Sequence, residues 1–510
     1  MSFKPSKFQK DIFKFISHGE GSAIIEAVAG SGKSTTIVEA LKKISPTKRS
    51  VFLAFNKSIA DEIREKVPRN VKVQTLNAMG HGAWMRFVDG NVKLNMHKTR
   101  EIILKNQGLK DKYTEFAVRK LQSPVRQLVS IAKSVGLVPE GCIEANGLIP
   151  DTIENWQNII DHYDIQFGAT QVGGEMVSDK PQAIEMAKEV LTIGLDMWNE
   201  IDFDDQMFMT VVFNAPISKY DFVFVDEAQD VSDIQRAMLT MCLRKKGRLI
   251  AVGDPCQACY GFRGADSESL NNIAKTFNAT RLPLSISYRC PKKIVAEAQR
   301  YVSHIESHEN APEGEVEQFG IYSPQMFKPN DMVVCRNTAP LIKLAYKLIS
   351  AKIPATIMGR DIGKGLVTLI NKFKPKGLDA LEVKLIEWRV KETTKALAKD
   401  PEANLSNIED KFEIINMFIQ CSGADTIPGL IIAIENLFGD KAVDAVILCT
   451  IHRSKGLEAD RVFILDSWLL PSKYAKKDWQ RVQENNLIYI AITRAKKSLF
   501  YVESPKKERA

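Results

Sequence analysis

The sequence predicts an α/β fold in which parallel sheets are flanked by helices and interrupted by mainly helical insertions. Three observations lead there. Apolar runs of strand length at residues 23–25, 50–55, 220–225 and 248–253 alternate with helix-like stretches, the pattern of a sheet covered on both faces. A glycine turn, Gly30-Ser31-Gly32, follows the first run and opens a helix-like stretch, Thr36-Ile37-Val38-Glu39-Ala40-Leu41. Between about residues 81 and 200 the periodicity is helical, with few β runs and no chemical motif.

The first run and its turn carry the sharpest chemistry. In Glu26-Ala27-Val28-Ala29-Gly30-Ser31-Gly32-Lys33-Ser34-Thr35, the two glycines let the backbone wrap so that successive N–H groups face an anion. The helix that follows adds the positive end of its dipole. Lys33 can then reach the β- and γ-phosphates of a nucleoside triphosphate, and the Ser34 hydroxyl can hold Mg²⁺. Ala29, Gly30, Ser31, Gly32, Lys33, Ser34 and Thr35 are the expected cradle. The strict pattern has glycine where this chain has Ala27.

A chain of 510 residues has room for three or four domains. Its 45% hydrophobic and 26% charged residues describe an ordinary globular protein. No apolar run approaches the roughly 18 residues of a membrane span, and residues 1–7 lack the apolar core of a signal peptide. The expected setting is intracellular, in the cytoplasm, nucleus or nucleoid, with no membrane contact. Eight scattered cysteines read as reduced thiols. Cys256 and Cys259, with Cys290 further on, lack a second pair at zinc-ligand spacing and read as packing residues. The net charge of +8 permits a polyanion partner without requiring one.

The run at 220–225 ends in Asp226-Glu227-Ala228-Gln229-Asp230. Carboxylates at the C-terminal end of a buried parallel strand sit where doubly wound sheets bind ligands. Asp226 can take Mg²⁺, and Glu227 is placed to orient or deprotonate an attacking water. After the run at 248–253, Gln257 is a candidate γ-phosphate sensor. Tyr260 and Phe262 offer π-faces for bases, although aromatics in such a run are more often core.

Together, Ala27-x-x-Gly30-x-Gly32-Lys33-Ser34, the Asp226–Asp230 acidic segment and Val252-Gly253-Asp254-x-x-Gln257-x-x-Tyr260-Gly261-Phe262-Arg263-Gly264-Ala265 resemble motifs I, II and III of the UvrD/Rep-like superfamily 1 DNA helicases. Gln9 resembles the adenine-reading Q motif. Leu284-Ser285-Ile286-Ser287-Tyr288-Arg289 resembles motif IV, which implies a tyrosine stacked on the base and an arginine at the γ-phosphate. Thr450-Ile451-His452-Arg453-Ser454-Lys455-Gly456-Leu457-Glu458 resembles motif V, and Tyr489-Ile490-Ala491-Ile492-Thr493-Arg494-Ala495 resembles motif VI. The resemblance implies Arg494 as a second arginine finger and Glu458 as a nucleotide contact. It implies DNA contacts at Phe55, Asn56, Asn77, Tyr260, Phe262, Arg263 and His452. The likeness runs from residue 9 to about residue 500. Within the family, Phe55-Asn56-Lys57-Ser58-Ile59-Ala60 and Val67-Pro68-Arg69-Asn70-Val71 look most similar to the F-box DNA helicase group, with no F-box expected ahead of the motor. Asn77 stands where the family has histidine, and Asn485-Asn486 where it has Arg-Arg.

The family implies two RecA-like P-loop motor domains, each interrupted. Residues 1–80 and 201–280 are expected to form the first, around a helical insertion at 81–200. Residues 281–365 and 441–510 are expected to form the second, around a short, basic helical insertion at 366–440, with a frayed tail at 506–510. Lys372, Lys374, Lys376, Lys384, Arg389, Lys391 and Lys395 make that insertion either a solvated face or a duplex-contacting one. The resemblance implies ATP and Mg²⁺ as cofactors, with ATP hydrolysed between the two motor domains by Lys33, Glu227, Gln257, Arg289 and Arg494. It implies 3′-to-5′ movement on single-stranded DNA, unwinding at duplex junctions, and a place in DNA replication, repair or recombination. The alternative is a DNA-stimulated ATPase that strips or remodels protein without processive unwinding. RNA stands as a second track, since nothing in these residues reads a 2′-hydroxyl.

Overall fold

The computed structural model describes residues 4–139, 142, 147–172, 175–259, 268–399, 405–439 and 444–505. Tyr260, Phe262, Arg263 and the tail at 506–510 lie outside them. The chain divides into two compact units, Met1–Ala27 with Gly32–Leu284, and Val28–Ser31 with Ser285–Ala510.

In the first unit the apolar runs become a six-stranded sheet of β1 (Ala23–Ala27), β2 (Ser50–Ala54), β3 (Val71–Thr75), β4 (Tyr220–Val225), β5 (Leu243–Gly253) and β6 (Thr280–Leu284). The order is β6-β1-β5-β4-β2-β3, parallel throughout. Ile24, Val51, Leu53, Val223, Val225 and Leu249 enter one core. Ile25, Phe52, Phe224, Ile250 and Val252 enter another. Successive residues of β1, β2, β4 and the end of β5 thus alternate between two dry faces, which is why these stretches read as apolar runs. Each such side chain contributes about 1.5–3 kcal/mol when fully buried. The register pairs Ile25 with Val252 and Phe224 with Ile250, so the carboxyl ends of β1, β5 and β4 open along one edge. Strand β5 begins ahead of its apolar run, at Leu243, where the Arg244–Asp221 ion pair at 3.0 Å holds its polar lead.

The helical stretch shares a core with this sheet: Val125, Leu128, Trp156, Val190 and Phe208 belong to the cluster that holds Ile24. It also contains strands that the periodicity does not mark. Ala169–Val172 pairs antiparallel with Glu175–Ser178, and Lys93–Leu94 lies beside Glu200–Ile201. Glu175–Ser178 is exposed at every position, so no apolar alternation betrays it.

The second unit holds a seven-stranded sheet of β7 (Glu315–Ile321), β8 (Met332–Cys335), β9 (Ala355–Met358), β10 (Phe438–Gly439), β11 (Val446–Thr450), β12 (Ala459–Leu465) and β13 (Ala495–Glu503). Its order is β7-β13-β12-β8-β11-β9-β10, again parallel. Among the described residues, four helices between β9 and β10 bury Leu366, Leu385, Phe418 and Ile434 in the core of Val333, Leu448 and Phe463. Both units are of the α/β class, parallel sheets flanked by helices, that the sequence predicts. Among the described residues no helix is long and apolar enough to cross a membrane.

Candidate nucleotide and nucleic-acid site

The glycine loop leaves β1 and ends at Gly32, which precedes the Lys33–Leu41 helix with φ +76°, a left-handed conformation that glycine adopts without a steric penalty. Among the described residues no side chain caps this helix, so its first N–H groups suit an anion. Ser34 and Thr35 are exposed. Ala29 and Ser31 are buried, and the Ser31 hydroxyl has no hydrogen-bond partner among the described residues. An orphaned buried hydroxyl costs about 1–3 kcal/mol. A phosphate oxygen in the loop would satisfy it, and the loop therefore fits a phosphate group.

Lys33 Nζ lies 3.0 Å from Glu227 Oε1. Burial alone would lower the Lys33 ammonium, but Glu227, Asp226 and Asp254 overcome it and hold its pKa above the ordinary value. Glu227 follows β4 with φ +51°, a conformation rare outside glycine and often found at functional sites. Asp226 is buried at the strand end, its Oδ1 accepting the Glu227 N–H at 2.9 Å. From Glu227 a polar chain crosses to the end of β5. Gln229 Nε2 donates to Glu227 Oε2, and Gln229 Oε1 accepts the Asp254 N–H at 3.0 Å. Gln257 Nε2 donates to Asp254 Oδ2 at 2.6 Å. Gly253 makes room for this chain, since a Cβ there would stand 2.5 Å from Gln229 Oε1. Burial pushes the Asp254 carboxyl above its usual range, against the pull of Lys33 and Gln257.

Lys33, Asp226, Glu227 and Gln257 are thus joined through one network. Gln229 and Asp254 belong to it too, although the sequence reading gave them no role. Their signal was position, each directly after or within a strand-end motif. Ser34 and Asp226 offer the hard oxygen donors that Mg²⁺ takes alongside phosphates. Gln9 is buried, its Oε1 accepting the Ser6 N–H and its Nε2 donating to Thr36 Oγ1, both at 2.9 Å.

In the second unit Tyr288 is exposed, with its ring centroid 5.0 Å from that of His308. Arg289 Nε lies 2.6 Å from Glu458 Oε2, and its Nη1 donates to the Thr493 carbonyl at 3.3 Å. Arg494 is buried, donating through Nε to Ile490 O at 2.9 Å and through Nη1 to Leu457 O at 3.2 Å. His452 is half-buried on the Ile451–Ser454 turn. Cys259 and Cys290 are buried and Cys256 half-buried. The basic series is divided in use: Lys384 donates to Phe373 O, and Arg389 pairs with Glu409 at 2.7 Å.

A cavity of about 840 Å³ opens within the first unit, and Phe55, Asn77, Phe203, Asp226 and Glu227 all line it. Phe55 and Phe203 remain 49% and 50% exposed. Asn77 Nδ2 donates to the Phe203 carbonyl at 3.1 Å, whereas Asn56 Oδ1 accepts the Ile59 N–H as a helix cap. Phe203 escaped the sequence reading. It stands in Asp202-Phe203-Asp204-Asp205, just ahead of the Asp205–Val212 helix, where the Asp205 N–H donates to Asp202 Oδ1 at 2.8 Å. The signal was an aromatic set among carboxylates, but those carboxylates acquire their partners from far away: Lys98 Nζ reaches Asp205 at 2.8 Å, and Lys133 Nζ reaches Asp202 and Asp205 at 2.7 Å.

The family described as UvrD/REP helicase N-terminal domain matches residues 8–278, and the UvrD-like helicase C-terminal domain matches residues 368–504. Over 93% of its length the chain is 24% identical to F-box DNA helicase protein 1 of Schizosaccharomyces pombe, covering 55% of that protein. It is likewise 24% identical over 94% of its length to F-box DNA helicase 1 of Gallus gallus, covering 47%. ATP-dependent DNA helicase Rep of Escherichia coli is 22% identical over 56% of this chain and 41% of its own. The chain spans about half the length of the F-box relatives it matches.

Proposed function

The chain belongs to the UvrD/REP helicase family, and on that footing we propose that it hydrolyses ATP to move 3′-to-5′ along single-stranded DNA and to unwind duplex at a junction. One observation carries the reading. Glu227 is bonded to the lysine of the phosphate loop and also lines the cavity that Phe55 and Phe203 share. Lys33 binds the β- and γ-phosphates, and the Glu227 carboxylate orients the attacking water and accepts its proton. Ser34 and Asp226 would hold Mg²⁺, which neutralises charge developing on the phosphoryl group. Gln257, linked through Asp254 and Gln229 to Glu227, senses the γ-phosphate. Arg289 and Arg494 act as arginine fingers, with Tyr288, Glu458 and Gln9 completing the nucleotide contacts. Phe55 and Phe203 stack on bases at about 1–3 kcal/mol per base, a contact that tolerates any sequence and so suits a motor. The matched relatives named as DNA helicases favour DNA over RNA as the track.

Tailed duplexes test this reading. The whole chain should unwind a 3′-tailed duplex in the presence of ATP and leave a 5′-tailed one intact. Unwinding of the 5′-tailed substrate alone would overturn the polarity. Displacement of streptavidin from a biotinylated strand without strand separation would replace unwinding by protein stripping.

A further inference from the structure

A second wall of the cavity comes from the stretch that the sequence leaves without a chemical motif. The Glu115–Val135 helix lines the cavity with Ser123, Arg126, Gln127, Ser130 and Ser134. These positions recur at i, i+3, i+4, i+7 and i+11, one face of an α-helix roughly 16 Å long at 1.5 Å per residue. The other face, with Leu121, Val125, Leu128 and Ala132, is buried. Arg100, on the neighbouring Lys98–Lys105 helix, lines the same cavity.

A polar helix face is ordinarily only solvated. Here its charges are of two kinds. Lys133, on the same helix, is consumed by Asp202 and Asp205, and Ser130 Oγ donates to Asp204 Oδ2 at 2.7 Å. Arg100 and Arg126 are exposed and have no carboxylate within ion-pair distance among the described residues. Two unpaired guanidiniums beside hydroxyl and amide donors suit phosphate oxygens, which guanidinium meets in a bidentate fork and which Ser and Gln side chains also contact.

We infer that Arg100, Arg126, Ser123 and Gln127 form a seat for the sugar-phosphate backbone of a single strand whose bases meet Phe55 and Phe203. The inference rests on the single-strand reading above and adds the helical insertion to the track. For single strands the slope of log affinity against log salt is about −0.7 per phosphate neutralised. The test is binding of a fluorescent oligodeoxythymidine by the whole chain across a salt series, beside ATP hydrolysis without DNA. Replacing both arginines (Arg100→Gln with Arg126→Gln) should make the slope shallower by about 1.4 and weaken binding on the order of tenfold at low salt. DNA-free ATP hydrolysis should stay unchanged, and the paired Arg→Lys variant should restore the slope. An unchanged slope in the glutamine variant overturns the seat and leaves the single-strand reading standing. Loss of DNA-free hydrolysis in that variant also overturns it, by showing that the arginines hold the fold. Failure of the unsubstituted chain to bind the oligonucleotide overturns the single-strand reading itself.

Discussion

Two lysine–carboxylate contacts in the first unit use the same groups at similar distances, yet they stand in different surroundings. Lys33 and Glu227, 3.0 Å apart, keep 14% and 20% of their side-chain surface exposed. Lys98 and Asp205, 2.8 Å apart, keep 0% and 1%. The first pair joins the start of the Lys33–Leu41 helix to the residue after a strand end and keeps part of its surface accessible. The second is enclosed, with Lys98 also donating to Gly194 O at 2.7 Å and Asp205 shared with Lys133. Burial costs each ion several kcal/mol, which only a full set of partners offsets. Burial alone would push the Asp205 carboxyl up, but the Lys133 and Lys98 ammoniums hold it down at about 2. Burial, and Lys133 after Asp205's opposing pull, leave Lys98 below its ordinary value. A contact at the edge can exchange partners during a reaction, whereas an enclosed one can only hold a shape. The distance alone does not distinguish them.

The Arg289–Glu458 pair, with Glu458 42% exposed, belongs with the exchangeable kind and offers the largest contrast. Arg289→Ala should lower kcat by roughly 10³–10⁵ while the melting temperature moves little. A loss confined to ATP affinity would make the arginine a mere nucleotide contact. Glu227→Gln should lower turnover by about 10²–10⁴, the range for a lost general base, and leave ATP binding and stability near normal. A variant that melts early would place Glu227 with the enclosed pair and erase the comparison.

Lys98→Met reverses the pattern. Breaking a buried pair costs about 3–5 kcal/mol, and the low end is expected because Lys133 still holds Asp205. Urea unfolding reads the loss, and hydrolysis per folded molecule should persist. The smallest effect is in pH. Asp205 has a depressed folded pKa, so its stabilising contribution is complete above the unfolded value of 3.8 and is lost as pH falls through about 2. Acid unfolding of Asp205→Asn should lack that component. Parallel acid profiles of the two proteins would show that Asp205 is not held ionised.

The same contrast explains what the sequence discloses. The fold class was legible because β1, β2, β4 and the 249–253 end of β5 are buried on both faces and so carry apolar runs. Lys33, Asp226, Glu227 and Gln257 stood out because each lies at or just beyond a strand end, where local spacing carries the chemistry. The Phe203 wall was illegible for the opposite reason. Its carboxylates are defined by Lys98 and Lys133, 107 and 69 residues away, and no local period records such closures. Gln9 shows the limit within a motif: its position was legible, but not its bonds to Ser6 and Thr36.

The most direct measurement of the central claim is steady-state ATP hydrolysis by the whole chain with and without single-stranded DNA. Glu227 touches the phosphate-loop lysine and lines the aromatic cavity, so a strand in that cavity should alter the geometry of hydrolysis. The basal rate should rise severalfold on adding DNA and saturate with its concentration. Equal rates at every DNA concentration would contradict that claim.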